Sequence, residues 1–138
     1  MSYSIIALIG IIGWTFLLIF VNEIMRSWLV LSGHKDSGSF QPDGLDVSPF
    51  AHRLARAHAN CYESFPLIGG VLLLAIATGQ TALTDPLALW LLAARVLQSS
   101  VHLASTAGPA VIVRFSFFMI QLLIVGWWLI SFACGYLL

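Results

Sequence analysis

Charge is what this sequence has least of: only 9% of its 138 residues are Asp, Glu, Lys or Arg, where a soluble domain carries about 25%. With so few charges, there is no solvated surface for a water-soluble globule. The six basic and six acidic residues cancel, so no basic footprint for nucleic acid is present. Cysteine is nearly absent too. Two cysteines, Cys61 and Cys134, define no disulfide framework, and their apolar neighbours predict two buried thiols. A basic leader segment and a small-residue cleavage site are both missing around Ile5 to Val21, so this apolar run reads as a first membrane helix and not as a signal peptide. No internal repeat or low-complexity segment occurs.

What remains is 59% hydrophobic. A hydrocarbon core about 30 Å thick needs roughly 20 apolar residues per helix, and four such spans with their connections use up the chain. The fold class expected is all-α and integral to the membrane: an up-down bundle of four transmembrane helices forming a single domain over 1–138, with helices at about 3–31, 49–78, 86–106 and 109–138. The one long polar connection, Ser32 to Ser48, holds Gly33, Gly38, Pro42, Gly44 and three aspartates. Ser48-Pro49 reads as cap and first helical residue, and Thr84-Asp85-Pro86 as the next cap. Trp14, Trp28, Trp90, Trp127 and Trp128 suit an interfacial belt or packing positions.

All six basic residues, Arg26, Lys35, Arg53, Arg56, Arg95 and Arg114, lie in or near the first and third connections or in the helices leading to them. By the positive-inside rule those connections face the cytoplasm and both termini face the opposite side.

An ionisable residue inside a span costs about 2.5 to 3.5 kcal/mol at the helix centre, yet several are kept. At roughly 100° per residue, Arg56, Asn60 and Glu63 fall at about 0°, 40° and −20°, a narrow stripe that predicts one common neighbour. Arg95, Ser99 and His102 repeat that spacing in the third span, with Gln98 about 60° aside. Asn22 and Arg26 are one turn apart in the first span, and Arg114 enters the fourth. Ion pairing of Glu63 with Arg56 or Arg95 would account for single residues. It does not account for the total, because four helical arginines outnumber Glu23 and Glu63, and a surplus of buried cation calls for an external anion. The planar guanidinium fork suits carboxylate or phosphate. No His pair has metal-ligand spacing on one helix, so no metal is expected. Cys61 reads as a small buried hydrophobe and not as a nucleophile.

The segment Arg56-Ala57-His58-Ala59-Asn60-Cys61-Tyr62-Glu63-Ser64-Phe65-Pro66-Leu67, with its R-x-x-x-N-x-x-E pattern before an aromatic and a proline, resembles the second helix of the membrane-associated proteins in eicosanoid and glutathione metabolism, the MAPEG family. The likeness extends through Ala94-Arg95-Val96 and His102 to Arg114-Phe115. It is similar to microsomal glutathione transferases and leukotriene synthases, and its third-to-fourth-helix segment looks most like bacterial members. The resemblance implies a homotrimer with an intersubunit site near the cytoplasmic face, in a bacterial inner membrane, binding glutathione as co-substrate and receiving lipophilic small-molecule substrates from membrane lipid. It further implies contacts to glutathione from Arg26, Arg56, His58, Asn60, Glu63, Arg95, Gln98 and His102, with Arg114 as the catalytic residue that stabilises the thiolate. The activity implied is conjugation of lipophilic electrophiles or reduction of lipid hydroperoxides. The chain departs from animal members at Gln98 and His102, where those have tyrosines, at Ser64, and in a longer stretch from His102 to Arg114. A noncatalytic scaffold or accessory subunit whose arginines bind lipid headgroups is the alternative function, and the sequence leaves the identity of the thiol open.

Overall fold

A computed structural model describes residues 1–137 as four antiparallel helices: α1 (Tyr3–Leu31), α2 (Pro49–Ala77), α3 (Thr81–Ala104) and α4 (Gly108–Leu137). Each is long and apolar enough to cross a membrane. α1 has 29 residues, about 44 Å at 1.5 Å per residue, so it outruns a hydrocarbon core of about 30 Å. The outward faces carry large apolar side chains such as Ile9, Phe16, Ile112, Leu123 and Ile130. Water would penalise such a surface; lipid solvates it. The protein is therefore an integral membrane helix bundle.

α2 and α3 each pack on α1 and α4 as well as on each other, whereas α1 and α4 do not meet among the described residues. Small side chains, Ala7, Ala57, Ala75, Ala88 and Ala94, are buried between the helices and let the backbones approach. Two apolar clusters result. One gathers Ile11, Leu72, Leu91 and Trp128 toward the chain termini. The other joins Leu18, Leu54, Ala57 and Cys61 toward the arginine-bearing end. A layer of buried polar residues, including Arg95, Gln98, Ser99 and Gln121, lies between them along the helices.

Helix ends follow local chemistry. Ser48 accepts a hydrogen bond from the Ala51 N–H at 3.0 Å with Pro49 at the first helical position, as the sequence predicts. α2 ends at Ala77 with Thr78 as its cap, and Gly79 just beyond takes a φ of +69°, open to glycine. α3 then starts at Thr81, ahead of the expected 86, because the turn needs only Gly79 and Gln80, and the Leu83 N–H bonds the Gln80 carbonyl at 3.1 Å. Pro86 therefore sits inside α3. Asp85 does not cap its own helix. Its Oδ1 accepts from the Ser4 N–H at 2.8 Å, Ser4 Oγ at 2.6 Å and Ser2 Oγ at 2.7 Å, so α3 caps the first turn of α1 across the bundle. α3 ends at Ala104 and α4 begins at Gly108, against expected bounds of 106 and 109; residue 138, the expected end of α4, lies outside the described residues.

The 32–48 connection is tied down over the arginine end. Lys35 Nζ lies 2.8 Å from Asp46 Oδ2, and this hydrogen bond holds the Asp46 carboxyl below its ordinary pKa. Arg26 and Lys35 both face the Phe40 ring at 5.4 Å. Arg53 Nε donates to the Leu103 carbonyl at 2.7 Å, a cation on the last turn of α3 that fits the helix dipole.

The cysteine expectation is corrected in part. Cys61 is buried, but Cys134 is exposed on α4, since a lipid-facing position is as apolar as a core and composition cannot separate the two. The tryptophans divide likewise: Trp128 is fully buried, while Trp28, Trp90 and Trp127 are exposed.

Candidate functional site

Because the helices alternate in direction, the end of α1, the start of α2, the end of α3 and the start of α4 share one end of the bundle. That end collects Arg26, Arg53, Arg56, His102 and Arg114. α2 packs against α1, α3 and α4, and α1 and α4 do not meet among the described residues, so its polar stripe splits between the α1 side and the α4 side. Asn60 and Glu63 differ by about 60° around the axis, enough for them to open on different sides. The single common neighbour expected for Arg56, Asn60 and Glu63 is thus replaced by two.

The first cleft, about 330 Å³, lies between α1 and α2 and is lined by Asn22, Glu23, Arg26, Arg56, His58 and Glu63 among others. Arg26 Nη1 is 3.8 Å from Glu23 Oε1 and its Nη2 donates to the Gln41 carbonyl at 3.2 Å. His58 packs against Tyr62 with ring centroids 5.4 Å apart. The second cleft, about 280 Å³, lies among α2, α3 and α4 and is lined by Arg56, Asn60, Gln98, His102 and Arg114 with Val111, Phe115 and Phe118. Arg56 borders both.

Arg95 lines neither cleft. It is 1% exposed, and its guanidinium donates to Asn60 Oδ1 and Ser64 Oγ, each at 2.8 Å. Its charge is met by neutral dipoles. The Glu63 pairing with Arg56 or Arg95 that the stripe suggested does not occur among the described residues, where Arg26–Glu23 and Lys35–Asp46 are the salt bridges. Arg56 and Arg114 consequently reach the second cleft without a carboxylate partner. Arg114 Nε is buried and makes no hydrogen bond among the described residues, a costly state unless an acceptor is supplied.

Two residues join this region that the spacing argument did not select, Ser64 and Gln121, and a third, Ser99, lies on the predicted stripe but turns inward. Ser64, seen in the sequence only as a departure from an aromatic, accepts from Arg95 and donates to the Asn60 carbonyl at 2.6 Å. Gln121 is fully buried and donates to Gln98 Oε1 at 2.9 Å. Ser99 Oγ is 3.3 Å from Cys61 Sγ. The signal that could have found Gln121 is its amide within the otherwise apolar run Phe117 to Ile130, where a polar group must find a partner. No three His, Cys, Asp or Glu side chains converge as a metal site among the described residues.

Chemically, the second cleft offers two guanidinium groups, two amides and an imidazole beside apolar side chains, of which Val111 and Phe115 are exposed. It suits an anion whose reactive part meets an apolar partner. Among known proteins, the description "MAPEG family" matches residues 5–134. No curated protein and no solved structure matches the chain.

Proposed function

The chain belongs to the MAPEG family, whose members include glutathione transferases and leukotriene synthases, and from that premise we propose that it is a membrane-embedded, glutathione-dependent transferase or peroxidase acting on lipophilic electrophiles or lipid hydroperoxides. The observation that carries this reading is the pair of arginines, Arg56 and Arg114, open to one cleft without a carboxylate partner. Glutathione brings two carboxylates, an ammonium and a thiol. In this reading Arg114 lies beside the sulfur and favours the thiolate, the reactive form. The thiolate forms the new bond to an electrophilic carbon as the leaving group departs. Arg56, Asn60, Gln98 and His102 hold the peptide, and Arg95 acts through Asn60. The apolar rim of Val111, Phe115 and Phe118 admits the substrate from the bilayer.

The same reading includes a homotrimer. At about 280 Å³ the second cleft is below the usual range of about 300 to 1,000 Å³ for ligand pockets, so one protomer encloses the ligand incompletely. Arg26, His58 and Glu63 stand on the other side of α2, where they would complete the site of an adjacent protomer. Two different faces meeting make a heterologous contact, which closes into a ring when the rotation permits. Glu63 then answers the glutathione ammonium and Arg26 a carboxylate. The distribution of basic residues supports placing this end at the cytoplasmic side of a bacterial inner membrane.

Purified protein mixed with glutathione should show thiolate absorbance in the ultraviolet, and Arg114→Ala should abolish it. A wild-type protein with no such signal, and whose melting temperature glutathione does not raise, would instead be the scaffold that uses these arginines for lipid phosphate.

A further inference from the structure

The amides that face the second cleft belong to a hydrogen-bonded chain with fixed direction. An amide can in principle present either its oxygen or its NH2 group, and hydrogen-bond partners decide which. At one end stands Arg95, which can only donate; its Nη1 is 2.8 Å from the Asn60 side-chain oxygen. At the other end stands the Phe117 carbonyl, which can only accept; Gln121 Nε2 donates to it at 2.9 Å. Gln121 Nε2 also donates to Gln98 Oε1 at 2.9 Å, and Gln98 Nε2 to Asn60 Oδ1 at 3.1 Å. Reversing any one amide would set oxygen against oxygen or donor against donor. Both ends therefore impose the same polarity.

Asn60 Oδ1 already receives two donors, and the Asn60 NH2 group has no partner among the described residues. Gln98 Nε2 keeps a second hydrogen, since only one is used toward Asn60. Asn60 and Gln98 line the cleft together with Arg56 and Arg114. Neither Arg95 nor Gln121 lines it.

We propose that Arg95 and Gln121 are positioning residues that lock the amides of Asn60 and Gln98 with their NH2 groups toward the cleft, so that these two amides present donors only and select for carboxylate oxygen. This rests on the reading of that cleft as the glutathione site and adds to it a source of specificity. A mispositioned amide would present an oxygen to the ligand's oxygen, and such a mismatch discriminates against the ligand. Because the chain is buried between helices, its direction is fixed before ligand arrives, so no reorientation opposes binding.

The test separates the relay from the function. The sequence holds two asparagines, Asn22 and Asn60, so asparagine-selective 15N labelling of the detergent-solubilised protein gives two side-chain NH2 pairs, with Asn60→Asp assigning them. Without ligand, Arg95→Met and Gln121→Met should each displace the Asn60 pair and leave the Asn22 pair in place. Arg95→Lys, still a donor-only cation, should restore the Asn60 pair. With ligand, Gln121→Met should lower the preference for glutathione over its diethyl ester by about tenfold, the effect of one lost charge-assisted hydrogen bond; a general loss of structure would weaken both alike. Should Gln121→Met fail to fold, Gln98→Glu, which sets an acceptor in the wall, should weaken glutathione binding by about tenfold or more. An Asn60 pair that stays put in both Met variants, or an unaltered preference in a folded Gln121→Met, overturns the relay. A wild type that ignores glutathione while the Asn60 pair responds as described overturns the proposed function and leaves the relay standing.

Discussion

Replacing Asp85 with alanine should destabilise the bundle at the end farthest from the arginines. One oxygen of Asp85 accepts hydrogen bonds from the backbone N–H of Ser4 and from the hydroxyls of Ser2 and Ser4. Ser2 itself makes no capping hydrogen bond to α1, so Asp85 supplies the acceptor that a local cap would provide. Losing a cap costs about 0.5 to 2 kcal/mol, and a hydrogen bond to a charged group about 1.5 to 3 kcal/mol. The sum must be discounted. Asp85 is only partly buried, Ser4 Oγ keeps Thr84 Oγ1 at 2.6 Å, and the Ser2 hydroxyl sits near the interface, where water can replace its partner. A loss of about 2 kcal/mol is expected, read by SDS-driven unfolding followed by tryptophan fluorescence. Asp85→Asn keeps an acceptor oxygen and should lose about half as much. Because α3 holds α1 through this residue, hydrogen exchange should speed up in the first turn of α1 before it does elsewhere. A loss below about 0.5 kcal/mol, or exchange that rises first at the arginine end, would refute the cross-bundle cap.

Trp128→Ala should cost about 3 to 5 kcal/mol in the same assay, since its fully buried ring leaves a cavity, while Trp127→Ala, 61% exposed, should change stability little; equal losses would contradict the assigned rotation of α4. A membrane-permeant maleimide should label Cys134 in the folded protein and reach Cys61 only on unfolding; early labelling of Cys61 would place it at the surface. The Lys35–Asp46 tie lowers the Asp46 pKa, so its contribution is present above the unfolded value of about 3.9 and fades as pH falls through the lower folded value. Protease cleavage within 32–48 should therefore rise on acidification below about pH 4, and Asp46→Asn should be cleaved readily at neutral pH too. No difference between the two proteins at neutral pH would mean that the tie does not order the connection.

Hydrophobic length made the four spans legible, because lipid solvates apolar side chains and demands internally bonded backbone. The Ser48-Pro49 start of α2 was equally plain, since a cap is a local contract between neighbours in sequence. The Thr84-Asp85-Pro86 signal was misleading for a related reason: Asp85 is a cap, but its helix is α1, reached only when α3 folds back against it. Periodicity gathered Arg56, Asn60 and Glu63 on a stripe, yet it could not see that α2 has neighbours on both flanks, so that Asn60 opens on one cleft and Glu63 on the other. Arg95 illustrates the same limit. Its spacing from Ser99 and His102 suggested one ligand-facing set, whereas packing turns it inward to Asn60 and Ser64 and leaves His102 at the cleft.

That this protein spans a membrane with four helices and crowds its arginines at one end was legible in the residues, because both facts follow from how apolar and charged groups partition along the chain. Which arginine is spent inside the bundle, which two reach the second cleft, which cysteine faces outward and which way the buried amides point were settled by packing alone. Those outcomes depend on helix rotation and on partners distant in sequence. A span exposes one face to lipid and another to protein, and in this composition both faces are apolar.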